Sequence, residues 1–262
     1  MATLPRQKKH LGQHFLISEE PIHRMLSTVP LTPETTVVEI GCGNGILTKA
    51  LLSTRCKAVH VVEIDPEWAR YIQETIHDPR LQVHVADAVT FDFASLREGG
   101  RRLVLLANLP YVITFPLMER LCGQSDLFDE AMVMIQEEAA ERLTHTSGRR
   151  YGAVSVYLQH FFTFTSYDKV PPSFFSPPPK VMSRLVHFVP RADRPQYTDA
   201  AAFWLFVRAC FKNPRQTLAN NLKRTKYAWQ QVSSETLKLR AQQLTEAELY
   251  ALFSSCLKAN QI

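Results

Sequence analysis

The apolar strand Val37-Val38-Glu39-Ile40 runs into Gly41-Cys42-Gly43-Asn44-Gly45, and a helical stretch over residues 46–52 follows at once. No other feature restricts the fold as much, because strand, glycine-rich turn and helix together open a βα repeat. Before it, Ser18, two acids and Pro21 mark the start of a helix reaching to about residue 28. After it, the repeat recurs. Residues 58–64 are a valine-rich strand with Glu63 at its end. Pro66 opens a helix whose Trp68, Tyr71 and Ile72 share one face. Residues 81–86 alternate apolar and polar side chains up to Asp87. Residues 103–107 are apolar without a break, as in a strand covered on both faces, and end in Asn108-Leu109-Pro110-Tyr111. A helix at 115–121, a strand at 132–135 and a helix at 137–143 continue the series. Strands alternating with helices predict an α/β fold with a mostly parallel sheet and helices on both faces.

The pattern then changes. Residues 171–180 hold five prolines and the pair Phe174-Phe175, which makes a stiff loop. A last strand is expected at 184–189 and a linker at 190–195. Helices alone follow, at 200–211, 214–223 and 244–257, the last with a capping box of Thr245 and Glu248. The expected organisation is an α/β domain over 1–190 and a small all-α domain over 191–262. The 262 residues are 45% hydrophobic and 21% charged, which excludes a disordered or collagen-like chain. No apolar run nears the roughly 18 residues of a membrane span, and the basic start has no apolar core of a secretory signal. The five cysteines are scattered without a C-x-x-C pair, so neither a metal site nor a disulfide framework is expected, and a reducing, cytoplasmic setting fits.

The net charge of +5 is unevenly spread. Residues 191–262 carry 11 Lys+Arg against 5 Asp+Glu, while 17–190 carry 16 against 20. Arg6, Lys8 and Lys9 precede them without an acid. An acidic core with basic ends suits a carboxylate-lined ligand pocket flanked by phosphate contacts.

Glycines at 41 and 43 let backbone approach a ligand and take positive φ. A dinucleotide fingerprint would place its third glycine at 46, which is Ile46. The spacing G-x-G-x-G, with Glu39 two residues ahead, instead resembles the S-adenosylmethionine loop of Rossmann-like methyltransferases. Glu63, at the next strand end, can accept hydrogen bonds from both ribose hydroxyls of such a ligand. Asp87, at the third, can accept from its exocyclic adenine amine. Successive strand ends converge on the crevice where open α/β sheets bind ligands.

Asn108-Leu109-Pro110-Tyr111 sits at a fourth strand end. It answers a chemical problem: the lone pair of an exocyclic amine such as adenine N6 is delocalised into the ring. The Asn108 side-chain carbonyl and the Leu109 backbone carbonyl can accept its two N–H bonds and aim the lone pair. Pro110 stiffens the turn, and Tyr111 offers a stacking face. Such a site works by positioning and electrostatics and needs no strong base. A target base must also leave its stack for a pocket lined with aromatics; Phe175 is expected as the second stacking face, opposite Tyr111.

These segments, with 8–16, Gln136-Glu137-Glu138 and 171–183, carry a resemblance. The chain resembles the ribosomal RNA small-subunit adenine dimethyltransferases of the bacterial KsgA type, over nearly the whole α/β domain in order. The resemblance implies a class I methyltransferase fold with a helical C-terminal RNA-binding domain, and S-adenosyl-L-methionine as donor. It implies two N6-methyl groups on each of two adjacent adenosines in a hairpin loop near the 3′ end of small-subunit RNA, within a pre-30S particle. It adds His14 and Leu16 to the donor site of Gly41, Gly43, Glu63, Asp87 and Asn108, and it implies a cytoplasmic monomer. His14 stands where family members often have Asn, Cys42 where they have Pro, and Gln216 where a Lys is usual. The alternatives are a large-subunit adenine methyltransferase of the antibiotic-resistance type and a ribosome-assembly factor that keeps the fold without catalysis.

Overall fold

A computed structural model describes residues 4–6 and 13–258. The basic Lys8 and Lys9, and the start of the 8–16 segment, lie outside the described residues.

The elements in chain order begin with β1 (Phe15–Leu16), α1 (Glu20–Thr28), β2 (Thr35–Ile40), α2 (Ile46–Leu52), β3 (Ala58–Glu63), α3 (Pro66–Thr75) and β4 (Leu81–Val85). They continue with β5 (Arg102–Asn108), α4 (Thr114–Cys122), β6 (Glu130–Gln136), α5 (Glu137–Thr144), α6 (Ala153–Phe161) and β7 (Phe162–Val170). The series closes with β8 (Phe175–Ser176), β9 (Ser183–Pro190), α7 (Ala200–Cys210), α8 (Leu218–Leu222), α9 (Ser234–Lys238) and α10 (Glu246–Lys258). Seven strands form one sheet in the order β4-β3-β2-β5-β6-β9-β7. The first five run parallel; β9 is antiparallel to both β6 and β7. Every residue of β2 is buried, as are the inner five of β5 and of β6, as a parallel sheet covered on both faces requires. A separate antiparallel pair joins β1 to β8.

The starts expected at Pro66 and Thr245 agree with the sequence, whereas α1 is capped by Glu19 without a side-chain bond, one residue after the expected Ser18. Asp65 accepts from the Glu67 amide at 3.0 Å with Pro66 in the first turn of α3. Thr245 and Glu248 exchange bonds at the start of α10. Five elements go beyond the sequence reading: β1, β8 and α9, and α6 and β7, which fill the stretch between α5 and the proline loop. Residues 214–217, expected as helix, precede the short α8, which Thr217 caps through the Asn220 amide.

The chain divides into two compact units, Met1–Ala140 with Phe162–Pro190, and Glu141–Phe161 with Arg191–Ile262. The boundary expected at 190 thus has a counterpart nearer the N-terminus, at about 140. Tyr151 and Val156 belong to the apolar core of the helical unit, with Phe203, Phe206 and Phe253. Within that unit Glu246 accepts from His160, Tyr197 and Arg191, at 2.6, 2.8 and 2.7 Å, which ties α6 and the 191–197 linker to α10. Among the described residues no helix is long and apolar enough to cross a membrane.

Candidate active site

The C-terminal ends of β2, β3, β4 and β5 open onto one pocket, closed on one side by residues 13–16. His14, Leu16, Gly41, Gly43, Glu63, Asp87, Asn108, Leu109, Pro110 and Tyr111 all line it. Phe175 does not.

The glycine turn is shaped by its neighbours. Gly41 and Gly43 have φ of +75° and +50°, a region that side chains disfavour. A Cβ on Gly43 would come within 2.8 Å of the Phe15 ring, so only glycine lets β1 lie over the turn. Asn44 ties the two together, donating to the Leu16 carbonyl at 3.1 Å and accepting from the Ile46 amide at 3.2 Å.

Two carboxylates stand behind and beside this turn. Glu39 is 1% exposed and accepts from the Thr48 hydroxyl at 2.6 Å. Burial pushes its carboxyl up to about 8, the Thr48 bond opposes this, and nearby Glu63 adds to it. Glu63 accepts from the Cys42 and Asp65 amides at 3.1 and 2.9 Å, which fixes the carboxylate plane at the pocket wall. Burial also raises the Glu63 carboxyl, against those backbone bonds. Asp87 is exposed and accepts from the Val89 amide at 2.9 Å. Ile64 is 53% exposed and lines the same pocket, an apolar surface beside the acids. Positive-φ glycines, an oriented carboxylate and an apolar shelf together fit an adenosyl ligand with a ribose diol.

At the end of β5, the Asn108 amide nitrogen donates to the His14 carbonyl at 3.4 Å. A carbonyl only accepts, so the Asn108 Nδ2 faces His14 and its Oδ1 is left to accept elsewhere. Leu109 is buried, with its amide held by the Met134 carbonyl at 3.1 Å. The Tyr111 hydroxyl meets Ser183 Oγ at 2.7 Å, and burial raises the phenol. The His14 ring lies 5.8 Å from the Tyr111 ring, tilted by 30°.

Phe175, expected opposite Tyr111, lies outside this lining: the residue is 3% exposed and packs in the main core. The cause is strand pairing: Phe175 is opposite Leu16 in the β1–β8 ladder, and both turn inward. Phe15, Ile64, Val112 and the Cys42 contacts to Glu63 were beyond sequence reasoning. Phe15 alone had a local signal, its place between His14 and Leu16. Among the described residues no group of three or more His, Cys, Asp or Glu side chains has a metal-binding arrangement.

A mostly parallel sheet with a glycine turn after β2 and acids at the next strand ends defines a class I, S-adenosylmethionine-dependent methyltransferase. Residues 5–259 match the family model for ribosomal RNA adenine dimethylase, and the chain belongs to that family. Ribosomal RNA small subunit methyltransferase A of Chlorobium chlorochromatii (strain CaD3) is 37% identical over 248 residues, covering 94% of this chain and 92% of the relative. A dimethyladenosine transferase from Plasmodium falciparum superposes with a TM-score of 0.77 at 25% identity, covering 94% of this chain and 98% of that one. The 23S rRNA methyltransferase ErmE shares the fold at a TM-score of 0.71 and 23% identity, over 92% of this chain and 99% of its own.

Proposed function

We infer that this protein transfers methyl groups from S-adenosylmethionine to N6 of two adjacent adenosines in a hairpin loop near the 3′ end of small-subunit ribosomal RNA, forming N6,N6-dimethyladenosine. It acts as a cytoplasmic monomer on a pre-30S particle and uses no metal. The observation that carries this reading is that Asn108 to Tyr111 line the same pocket as Gly41, Glu63 and Asp87. A donor site and an amine-orienting turn therefore face each other. The sequence relatives carry the small-subunit name, and the likeness to ErmE is one of fold, so the large-subunit alternative is not favoured.

The residues divide the work. Gly41 and Gly43 admit the donor against bare backbone. Glu63, its plane set by two amides, accepts the ribose hydroxyls, and Asp87 accepts the donor's adenine amine. His14 and Leu16 close the donor site. When bound, the donor supplies an electrophilic methyl group on a sulfonium. Asn108 Oδ1 and the Leu109 carbonyl accept the two N–H bonds of the target amine, so its lone pair is aimed at the methyl group. Tyr111 holds the flipped base by stacking. As the N–CH3 bond forms the S–CH3 bond breaks, and the acidic cationic amine that results loses its proton to water, so no strong general base is required. The basic residues of 191–262 and the N-terminal arm make phosphate contacts.

The test incubates the protein with labelled donor and undermethylated small subunits, then maps the modified bases. Label on two adjacent adenosines near the 3′ end is expected. Label only in free large-subunit RNA would overturn the substrate, and label in neither would favour an assembly factor.

A further inference from the structure

The segment from Pro171 to Ser183 touches the pocket wall repeatedly. Phe175 and Ser176 pair with Leu16 and Phe15. The Phe174 carbonyl accepts from the Ile17 amide at 2.8 Å. Two further contacts reach rings. The Pro177 carbonyl lies 2.8 Å from His14 Nδ1, and Ser183 Oγ lies 2.7 Å from the Tyr111 hydroxyl. Both rings line the pocket, while Pro177 and Ser183 do not.

The geometry restricts both rings. Ser183 has no solvent exposure and stands in β9 between Gln136 of β6 and Val170 of β7, so its hydroxyl cannot wander. The Tyr111 hydroxyl lies on the ring's own axis, so this bond leaves flips about χ2 free, but a swing of the ring about χ1 would break it. A carbonyl only accepts, so His14 Nδ1 carries the proton, which sets both the tautomer and the ring's direction. A stacking wall is most useful when it is in place before the base arrives.

We propose that Ser183, acting through Tyr111, is a positioning residue that presets the stacking wall of the pocket for the target base. This rests on the reading that the pocket methylates a flipped base. Ser183 does not touch the reacting atoms.

The experiment compares wild type, Ser183→Ala, Tyr111→Phe and the double variant in methylation of undermethylated small subunits. Donor affinity is measured by calorimetry and folding by thermal melting. Each single change is expected to lower kcat about three- to tenfold, the worth of one hydrogen bond, with donor affinity unchanged. The double variant is expected to be no slower than the slower single, because both remove the same bond. Wild-type kcat in Ser183→Ala, or losses that multiply in the double, would overturn the proposal. If Ser183→Ala does not fold, Tyr111→Phe decides alone: an unchanged kcat overturns it. A readout without RNA separates this proposal from the functional one. In protein carrying labelled tyrosine, with the signal assigned by its loss in Tyr111→Phe, the Hα–Hβ couplings of Tyr111 should report a single χ1 rotamer in wild type and rotamer averaging in Ser183→Ala. Averaged couplings already in wild type sink the preset wall. Failure of wild type to label small-subunit RNA, with a single Tyr111 rotamer, sinks only the substrate.

Discussion

Asn108 carries the chemistry of the pocket, and its removal should separate binding from turnover. Asn108→Ala is expected still to bind donor while kcat falls by about 100-fold or more, the usual cost of removing one orienting group. Calorimetry beside single-turnover assays checks this; near-normal turnover would end the role given to the turn. Gly43 tests the opposite property, shape. Its φ is +50°, and a Cβ there would stand 2.8 Å from Phe15 Cδ1. Gly43→Ala should therefore cost about 1–3 kcal/mol of stability and weaken donor binding. Denaturant titration reads the first and calorimetry the second. At this scale most of the site was legible, because acids and glycines at strand ends have a chemical meaning wherever the strands go. Phe175 was not legible. Its direction depends on pairing with Leu16, a residue far away in the chain, and a period of two gives each ring an even choice of face.

Elements explain a pH dependence. The buried acid at the end of β2 keeps its proton up to about 8 in the folded chain, against an ordinary value of 4.5. Between these pH values the folded state binds the extra proton. The stability from this group is therefore complete below the lower value and is lost as pH rises through the upper one. Glu39→Gln preserves an acceptor for Thr48 and removes the titration. Its melting temperature should vary less between pH 5 and pH 8 than that of wild type. Equal slopes in the two proteins would refute the assignment, with Glu63, raised in the same direction, accounting for any residual slope. Elements also show where reading by period works. β2 and β5 announce themselves as unbroken apolar runs because both faces are covered. β7, at the sheet edge, has only its two ends buried and Phe164 and Tyr167 partly covered, and its register with β9 shifts between Ser166 and Lys169. Such a strand gives a weak signal beside the helix that precedes it.

At the scale of the whole molecule the charge distribution makes the prediction. Lys212, Arg215, Lys223 and Arg224 are exposed in the helical unit. Replacing these with Gln should weaken RNA binding and flatten its dependence on salt, by about 0.7 to 0.9 in log–log slope for each phosphate no longer neutralised. Binding measured across a salt series reads this directly, and an unchanged slope would move the RNA contacts elsewhere. The order of βα repeats, the ligand class of the glycine turn and the basic character of the C-terminal region follow from sequence by itself, since each rests on residues close together in the chain. The tertiary structure decided the rest. Residues 141–161 join the helical unit because their apolar side chains complete its core, not because of their place in the chain. Phe175 turns inward and Ser183 reaches Tyr111 because β8 and β9 pair with strands distant in sequence, and pairing across such distances is a property of the folded chain.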